Sequence, residues 1–457
     1  MRRRFLIFCL ILIILSQGCG VTPKIQIRTS VSTPSVNAVT TPTISLPTLT
    51  FLPTLTPIFP ETNTPVMTVT PTQVIHQSCL ADLPTLAEDK SYSGKLVLIG
   101  DSYANFGWYF LNLATRQTTR MTQETRMYSA TVDGMAISPD HSKIVVDSGS
   151  DHAIQIYAVN GALLGILERG QRYIIDQWLD NERILFKIVG EGPTNKYPPD
   201  EVVVDINTGK KTTINSDYPD IDTTDYMLQW EGVSTTKYDS TMSRVVYPGK
   251  IEKDYRGDAG WGYILYDRVN HVKIAQIVTS RFTTPPVWFP DGSKFIVNNT
   301  YGDGEFYVIT RDGAVSQVSH LNSTKNGQNL TDIKSASRYS WSPDGHYLAF
   351  WLEMIKLELN SVTITDIATF AILDILTGET TDYCLSAGYA ILGGLDQVVL
   401  PLFYKPVWSP DGKSVVTIAN RQKNGNFDTV LIDPAGGFAA RIADNLVPEG
   451  WLDSTGK

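Results

Sequence analysis

Six histidines are the residues of this 457-residue chain best suited to binding a metal ion or moving a proton at neutral pH. They are spread along the chain, with no two within ten residues of each other: His76, His141, His152, His271, His320 and His346. His141 and His346 lie in the turn after a Ser-Pro-Asp tripeptide, so a repeated turn accounts for both. We therefore expect no metal site, although distant histidines can meet in a folded chain.

Carboxylates are the other groups that could do chemistry. Two acids about 5 to 9.5 Å apart suffice for glycoside hydrolysis, and the chain has 47 acidic residues, so their presence does not locate a site. Asp217, Asp220, Asp222 and Asp225 lack the glycine and spacing of an EF-hand loop, which favours a solvated loop over a calcium site. The sequence contains no nucleophile elbow, Walker loop, dinucleotide fingerprint or zinc-protease motif. We assign no catalytic residue and no cofactor.

Composition and charge narrow the class of partner. Hydrophobic residues make up 42% of the chain and aromatic residues 10%, enough for a sizeable core. The net charge is −9, and it becomes −12 once Arg2, Arg3 and Arg4 are removed with an export signal. Nucleic-acid binding needs basic patches, so this acidic balance argues against a nucleic-acid partner.

The first twenty residues predict export. Three arginines precede an apolar run over residues 5–15, which is too short to span a bilayer and is typical of a secretory signal. The following Leu15-Ser16-Gln17-Gly18-Cys19-Gly20 resembles the lipobox of bacterial lipoproteins, although those place Leu where Ser16 stands. The resemblance implies a signal peptide over residues 1–18, lipidation of Cys19 and a membrane anchor facing the extracytoplasmic side. The alternative is an ordinary secretory signal with Cys19 incidental.

A Thr/Pro-rich tract follows. Residues 29–72 hold 14 Thr and 8 Pro, and Glu61 is their single charge. Proline at this density blocks helix and sheet ladders and favours extended polyproline II. We interpret residues 19–73 as a disordered, lipid-anchored stalk, followed by an N-terminal segment packed on the folded domain over residues 74–94.

The rest of the chain, residues 95–457, repeats one motif. Complete copies of Trp-(Ser/Phe)-Pro-Asp-Gly begin at Trp288, Trp341 and Trp408, and an incomplete copy occupies residues 136–140. Taking degenerate copies into account, the Trp-equivalent positions are 137, 178, 230, 288, 341, 408 and 451. The steps between these positions range from 41 to 67 residues, and a recurring unit of roughly 40 to 50 residues, with short β-branched runs between turns, is typical of a β-propeller.

These motifs carry a resemblance to a known family. Tandem Trp-Ser-Pro-Asp-Gly units resemble the WD-like repeats of TolB and of the propeller domains of prolyl oligopeptidases, here without a hydrolase domain. The resemblance implies an all-β, seven-bladed β-propeller in which the repeated Trp, Pro, Asp and Gly are structural.

The ends of the repeat region predict how the ring closes. The last motif, Gly450-Trp451-Leu452-Asp453, supplies the first strand of a repeat, and residues 95–121 supply strands two to four without a first strand. We expect one blade to be shared between the N-terminal and C-terminal strands. Closure would also remove an exposed sheet edge.

Cys79 and Cys384 are the cysteines left in the folded region once Cys9 and Cys19 are assigned to the leader. An exported protein meets oxidising conditions, so we expect a disulfide between them. Two unpaired buried thiols are the alternative.

Loop lengths predict which face of the propeller binds a ligand. First-to-second and third-to-fourth strand turns share one face and are short, whereas the second-to-third loops and the blade connections share the opposite, long-loop face. Long loops on a rigid scaffold gather binding residues. The expected ligand face carries aromatic and polar side chains suited to sugars or peptides: Tyr103, Trp108, Asp151, His152, Tyr197, Tyr255, Arg256, Trp261, Tyr301 and Asp303. Alternatively, several of these aromatics cap the ends of blades.

Two functions stay open. The first is a membrane-anchored, non-catalytic binding or scaffold protein, expected to be a monomer, that recognises a protein or a glycan. The second is an extracytoplasmic glycosidase or lyase with its site at the propeller axis. Convergent acids or histidines with shifted pKa values at the axis would favour the enzyme.

Overall fold

The structure is a computed structural model that describes the following residues: 75–80, 83–87, 92–100, 107–121, 134–147, 153–168, 173–188, 200–214, 218–221, 236–251, 260–278, 285–299, 303–322, 332–358, 361–364, 368–386, 390–391, 398–399, 405–419 and 426–453. All of them belong to one compact unit, Val69–Lys457. The leader, Cys19 and the Thr/Pro-rich tract lie outside these residues. Within them every regular element is a β-strand, and no helix is long and apolar enough to cross a membrane.

The strands are numbered in chain order. The first half are β1 (Ile75–Gln77), β2 (Lys95–Gly100), β3 (Gly107–Asn112), β4 (Thr118–Arg120), β5 (Met135–Ile137), β6 (Lys143–Asp147), β7 (Ile154–Ala158), β8 (Leu163–Glu168), β9 (Tyr173–Trp178), β10 (Arg183–Ile188), β11 (Asp200–Asp205), β12 (Lys211–Ile214), β13 (Lys237–Tyr238), β14 (Arg244–Ile251), β15 (Gly260–Asp267) and β16 (Val272–Val278). The second half are β17 (Val287–Trp288), β18 (Lys294–Asn298), β19 (Phe306–Thr310), β20 (Val315–Gln317), β21 (Asp332–Trp341), β22 (Tyr347–Glu358), β23 (Ser361–Ile364), β24 (Thr369–Asp374), β25 (Thr380–Ser386), β26 (Ala390–Ile391), β27 (Val398–Val399), β28 (Val407–Trp408), β29 (Val415–Ala419), β30 (Asp428–Asp433), β31 (Phe438–Asp444) and β32 (Leu446–Leu452).

Seven antiparallel sheets form the blades, which confirms the predicted seven-bladed propeller. In ring order they are blade one (β32-β2-β3-β4), blade two (β5 to β8), blade three (β9 to β12), blade four (β13 to β16), blade five (β17 to β20), blade six (β21-β22-β24-β25) and blade seven (β28 to β31). First strands of neighbouring blades contact each other in the pairs β32 with β5, β5 with β9, β13 with β17, β21 with β28 and β28 with β32. Two additions extend blade six, since β23 pairs with β22 and β1 pairs with β25.

The blades close as the sequence predicts. In blade one the C-terminal strand β32 pairs with β2 from the N-terminal part of the domain, with Leu452 opposite Lys95 and Leu446 opposite Gly100. The closing strand is also tied to blade two, because Asp453 N donates to the His141 carbonyl at 3.1 Å. The Nδ1 atom of His141 lies 2.7 Å from the Trp451 carbonyl oxygen, so this histidine belongs to the ring closure.

The repeated tryptophans join neighbouring blades. Three of them end a first strand, and their indole N–H groups donate to a carbonyl in the first strand of the preceding blade: Trp178 to Ala136 at 3.1 Å, Trp288 to Lys237 at 3.2 Å and Trp408 to Ser340 at 3.2 Å. Trp451 donates instead to the Ser93 carbonyl at 3.1 Å, and the buried Trp341 indole N–H has no hydrogen-bond partner among the described residues. Burial of a large ring with its polar edge satisfied stabilises both partners of the interface. These residues are therefore structural.

Blade four corrects one part of the repeat assignment. The predicted Trp-equivalent, Trp230, lies outside the described residues, and Tyr238 takes the repeat position at the end of β13. The turn that follows runs from Asp239 to Met242, where Met242 N donates to the Asp239 carbonyl at 2.9 Å. The motif escaped detection because Tyr replaces Trp and Asp-Ser-Thr-Met replaces Ser-Pro-Asp-Gly.

The Ser-Pro-Asp-Gly turn has a specific hydrogen-bond pattern. In blade six Ser342 Oγ donates to Asp344 Oδ1 at 2.6 Å and accepts the Tyr347 N–H at 2.9 Å. The glycine then adopts a φ of 70° at Gly345, a left-handed conformation that suits residues without a Cβ. His141 holds the same position in blade two with a φ of 58°.

The N-terminal segment packs along the outer edges of blades six and seven. Strand β1 runs parallel to β25, with Ile75 opposite Thr380 and Gln77 opposite Asp382. Cys79 and Cys384, the two cysteines that the sequence pairs, form a disulfide with a Cα–Cα distance of 4.8 Å. Leu86 then lies buried, and its N–H donates to the Arg441 carbonyl of blade seven at 3.1 Å.

Candidate functional site

Most of the predicted ligand face cannot be placed. Seven of its residues lie outside the described part of the chain: Tyr103, Asp151, His152, Tyr197, Tyr255, Arg256 and Tyr301. Trp261 is located in β15, although its side chain is outside the description. The structure describes the side chains of the other two predicted residues, Trp108 and Asp303.

Trp108 belongs to the core. It is 5% exposed and packs in the interface of blades one and two, in one apolar cluster with Val97, Phe110 and Ile144. The ring is therefore inaccessible to a ligand on the long-loop face, which corresponds to the alternative that some aromatics fill the ends of blades. Strand β3 begins at Gly107, so Trp108 is a strand residue with an inward side chain.

Asp303 organises the loop between the second and third strands of blade five. Its Oδ1 atom accepts hydrogen bonds from Glu305 N at 3.1 Å and from Asn299 Nδ2 at 3.1 Å. Its Oδ2 atom accepts a hydrogen bond from the Tyr307 hydroxyl. Burial and the adjoining Asp303 carboxylate raise the pKa of Tyr307, so the phenol stays protonated as the donor.

Glu305 fixes the connection from blade five to blade six. The carboxylate is 4% exposed and accepts three hydrogen bonds: from Ser319 Oγ at 2.5 Å, Leu321 N at 2.8 Å and Asn322 N at 2.7 Å. Asn322 in turn donates through Nδ2 to the carbonyl oxygens of Asp303 and Lys334, at 2.8 and 2.7 Å. This network holds the start of β21 against blade five.

An open crevice lies beside this network, and we call it the blade five–six crevice. It has a volume of about 530 Å³, and its apolar lining comes from Ile75, Leu352 and Met354. Its polar lining comes from His76, Gln77, Lys334, Glu353, Thr369 and Asp382. Leu352 packs in the core between blades five and six, which places the crevice on the side of blade six that faces blade five.

One end of the crevice lies towards the long-loop face. Strand β22 starts at the Ser-Pro-Asp-Gly turn, and Glu353 and Met354 lie just beyond its midpoint, next to Leu352. Lys334 pairs with Met354 at the same level, near the start of β21. The Lys334 end of the crevice therefore lies on the side of the long-loop face, like the Asp303 loop, whereas Asp382 is level with Phe350 and lies nearer the turn face.

A second polar group is buried between blades three and four, and we call it the blade three–four cluster: Asp176, Lys187, Glu201, Tyr218, Lys237 and Tyr238. Lys187 Nζ lies 3.4 Å from Asp176 Oδ2 and 3.5 Å from Glu201 Oε1, and it donates to the Thr236 carbonyl at 3.3 Å. Lys237 Nζ donates to Asp176 Oδ1 at 2.6 Å across the blade interface.

The charges of this cluster are matched. Burial alone raises the pKa of Asp176, but the neighbouring Lys187 and Lys237 outweigh burial, and the pKa lies below its ordinary value. Burial raises the pKa of Tyr218 to about 12 and raises that of Tyr238 further because Tyr238 also faces the Glu201 carboxylate. Tyr238 donates to Glu201, so Tyr218 donates to the Tyr238 oxygen at 2.7 Å.

Neither the blade three–four cluster nor the blade five–six crevice was predicted from the sequence. The strand Arg183-Ile184-Leu185-Phe186-Lys187-Ile188 carries a lysine inside an apolar run, which is a recognisable signal for a buried, paired charge. Lys334 and Asp382 carry no such signal, since each lies in a strand of mixed polarity. Among the described residues no group of three or more His, Cys, Asp or Glu is arranged to hold a metal ion.

Comparisons with known proteins find similarity among solved structures. No family model matches the chain, and no curated protein matches it. Among solved structures it is similar to TolB from Acinetobacter baumannii (14% identity, 79% of this chain and 81% of that chain covered, TM-score 0.39). It is also similar to an oligogalacturonate lyase in complex with manganese (13% identity, 78% and 86% covered, TM-score 0.42). A third is a puromycin-hydrolysing peptidase of Mycobacterium tuberculosis (11% identity, 82% and 56% covered, TM-score 0.47).

Proposed function

We propose that this chain is a lipid-anchored, extracytoplasmic and non-catalytic β-propeller that binds a protein or glycan through its long-loop face. The observation that carries the proposal is the blade five–six crevice, which combines apolar and charged lining. Its volume of about 530 Å³ lies within the range of ligand sites in proteins.

The state of the buried carboxylates supports binding over catalysis. A general acid at neutral pH needs a raised pKa, whereas the pKa of Asp176 is lowered and both of its lysine partners hold it ionised. Glu305 is occupied by three donors from the connection between blades five and six. These two acids serve the fold, so neither is available to protonate a substrate.

The binding proposal is tested with the immobilised full chain, probed against a glycan array and a cell-envelope extract. One variant replaces Tyr255, Arg256 and Trp261 together by alanine on the long-loop face. The control replaces His346 and Lys413 by alanine on the turn face. We expect retention to fall with the first variant and not with the control. The opposite result would place the site on the turn face, and release of shortened sugars from a polysaccharide would favour the enzyme.

Anchoring is tested at Cys19. In cells fed a labelled fatty acid, the full chain should carry the label and sediment with membranes, and Cys19→Ala should lose the label. A labelled Cys19→Ala chain, or an unlabelled native chain, would contradict the lipid anchor.

A further inference from the structure

We infer that the blade five–six crevice binds an extended peptide that carries one acidic and one basic residue about four to six positions apart. This inference rests on the proposed binding function and chooses between the two ligand classes that it leaves open. Three properties of the crevice lead to it: the side chains it lacks, the charges at its ends and its length.

The lining argues against a sugar. Protein sites that hold sugar rings use aromatic planes, and none of the nine described residues that line the crevice is a Trp, Tyr or Phe. The apolar part consists of Leu352, Met354 and Ile75, which offer flexible contact to aliphatic side chains. Gln77 and Thr369 add an amide and a hydroxyl that can pair with peptide groups.

Opposite charges stand at the two ends. Lys334 lies on β21, the first strand of blade six, and its ammonium takes part in no ion pair or hydrogen bond with any residue that the structure describes. Asp382 lies on β25, the fourth strand, and one carboxylate oxygen accepts the Cys384 N–H at 2.8 Å. The crevice therefore presents a positive inner end and a negative outer end, and Glu353, the other carboxylate of its lining, is 3% exposed.

The separation of these ends sets the spacing in the ligand. Lys334 is level with Met354 on β22, and Asp382 is level with Phe350 through Ala371. Four residues along the strand and three strand spacings across the sheet separate the two by roughly 20 Å. An extended peptide advances about 3.3 Å per residue, and the long lysine side chain shortens the span, which gives about four to six residues.

A display library of random peptides, long enough to span the crevice, tests the inference with the immobilised full chain. We expect enriched peptides to carry an acidic and a basic residue at the stated spacing, in either chain direction. Lys334→Glu should shift enrichment to peptides with two basic residues and weaken the original peptides by about tenfold or more, because like charges then meet. Asp382→Asn keeps the acceptor for Cys384 and should remove the requirement for the basic residue.

Lys413→Glu is the matched control, because Lys413 is an 81% exposed lysine on the turn face. It should leave the enriched peptides unchanged. Enrichment without charge spacing, or a Lys334→Glu chain that keeps the original preference, overturns the inference. Glycan binding without any peptide enrichment also overturns it and retains the proposed function. A chain that binds neither peptides nor glycans nor envelope proteins overturns both.

Discussion

The blade three–four cluster and the blade five–six crevice each place a strand lysine at the junction of two blades, with opposite results. Lys187 is 1% exposed and lies between two carboxylates, with its remaining hydrogen bond on a backbone carbonyl. Lys334 lies at the edge of an open crevice, and Asp382, the acid on the same side of blade six, stands three strands away.

The two lysines differ in which groups replace the water around the ammonium. A buried ion costs several kcal/mol unless nearby charges and hydrogen bonds replace its water, and the blade three–four cluster supplies both from its own residues. At the crevice no described residue pairs with the Lys334 ammonium, so an acidic group of a ligand can take the place of its hydrating water. In the blade three–four cluster the charges pair with one another, whereas in the blade five–six crevice they are open to a ligand.

The largest effect is expected at the buried lysine. Lys187→Met removes the cation that separates Asp176 from Glu201 and leaves buried carboxylate charge uncompensated, which should cost about 3 to 5 kcal/mol of unfolding free energy. Urea unfolding measures it. The control Lys413→Met, at an exposed lysine, should stay within about 0.5 kcal/mol of the native chain. A Lys187→Met chain as stable as the control would show that the two interfaces do not differ in kind.

The contribution of Asp176 to folding stability should depend on pH, which tests the ion pairs of the blade three–four cluster. Its folded-state pKa is below the ordinary value, so the ionised carboxylate stabilises the fold fully above about pH 4, and this contribution is lost as the pH falls through the folded pKa. Asp176→Asn should cost about 3 kcal/mol at neutral pH, and the difference from the native chain should shrink below about pH 4. A difference that stays constant down to pH 2 would contradict the ion-pair account.

A smaller loss is expected beside the crevice. In Glu305→Gln an amide NH₂ replaces one of the oxygens that accept from Ser319, Leu321 and Asn322, so at least one donor loses its acceptor. The cost should be about 1.5 to 3 kcal/mol in urea unfolding. The exposed Glu379→Gln is the control and should be nearly neutral. If both variants are neutral, the network does not hold the start of β21 against blade five.

The smallest effect completes the comparison. Lys334→Met makes the same substitution as at Lys187, yet it should change the unfolding free energy by less than about 0.5 kcal/mol, because no described residue pairs with this ammonium. Urea unfolding of the two lysine variants side by side gives the contrast directly. A loss at Lys334 comparable to that at Lys187 would mean that the crevice lysine stabilises the fold and is not reserved for a ligand.

Local features of the sequence were sufficient for the fold. Turn chemistry and the alternation of short apolar runs depend on residues a few positions apart, and they predicted seven blades, the closing strand β32 and the structural role of the tryptophans. The predicted export and the cysteine count also led to the pairing of Cys79 with Cys384, which the structure contains. It failed at blade four, where Tyr238 and a turn without proline or glycine leave no local signature.

The tertiary structure alone decided which side chains meet between blades. Lys237 reaches Asp176 across 61 residues of chain, and the crevice combines β1 with strands more than 250 residues later. Trp108 looked like a surface aromatic near a loop, yet its strand turns it into the core. Such contacts depend on how far each blade twists and on the side-chain volumes packed between neighbouring sheets. The alternation of apolar and polar residues along one strand does not determine which residue of the next blade lies opposite.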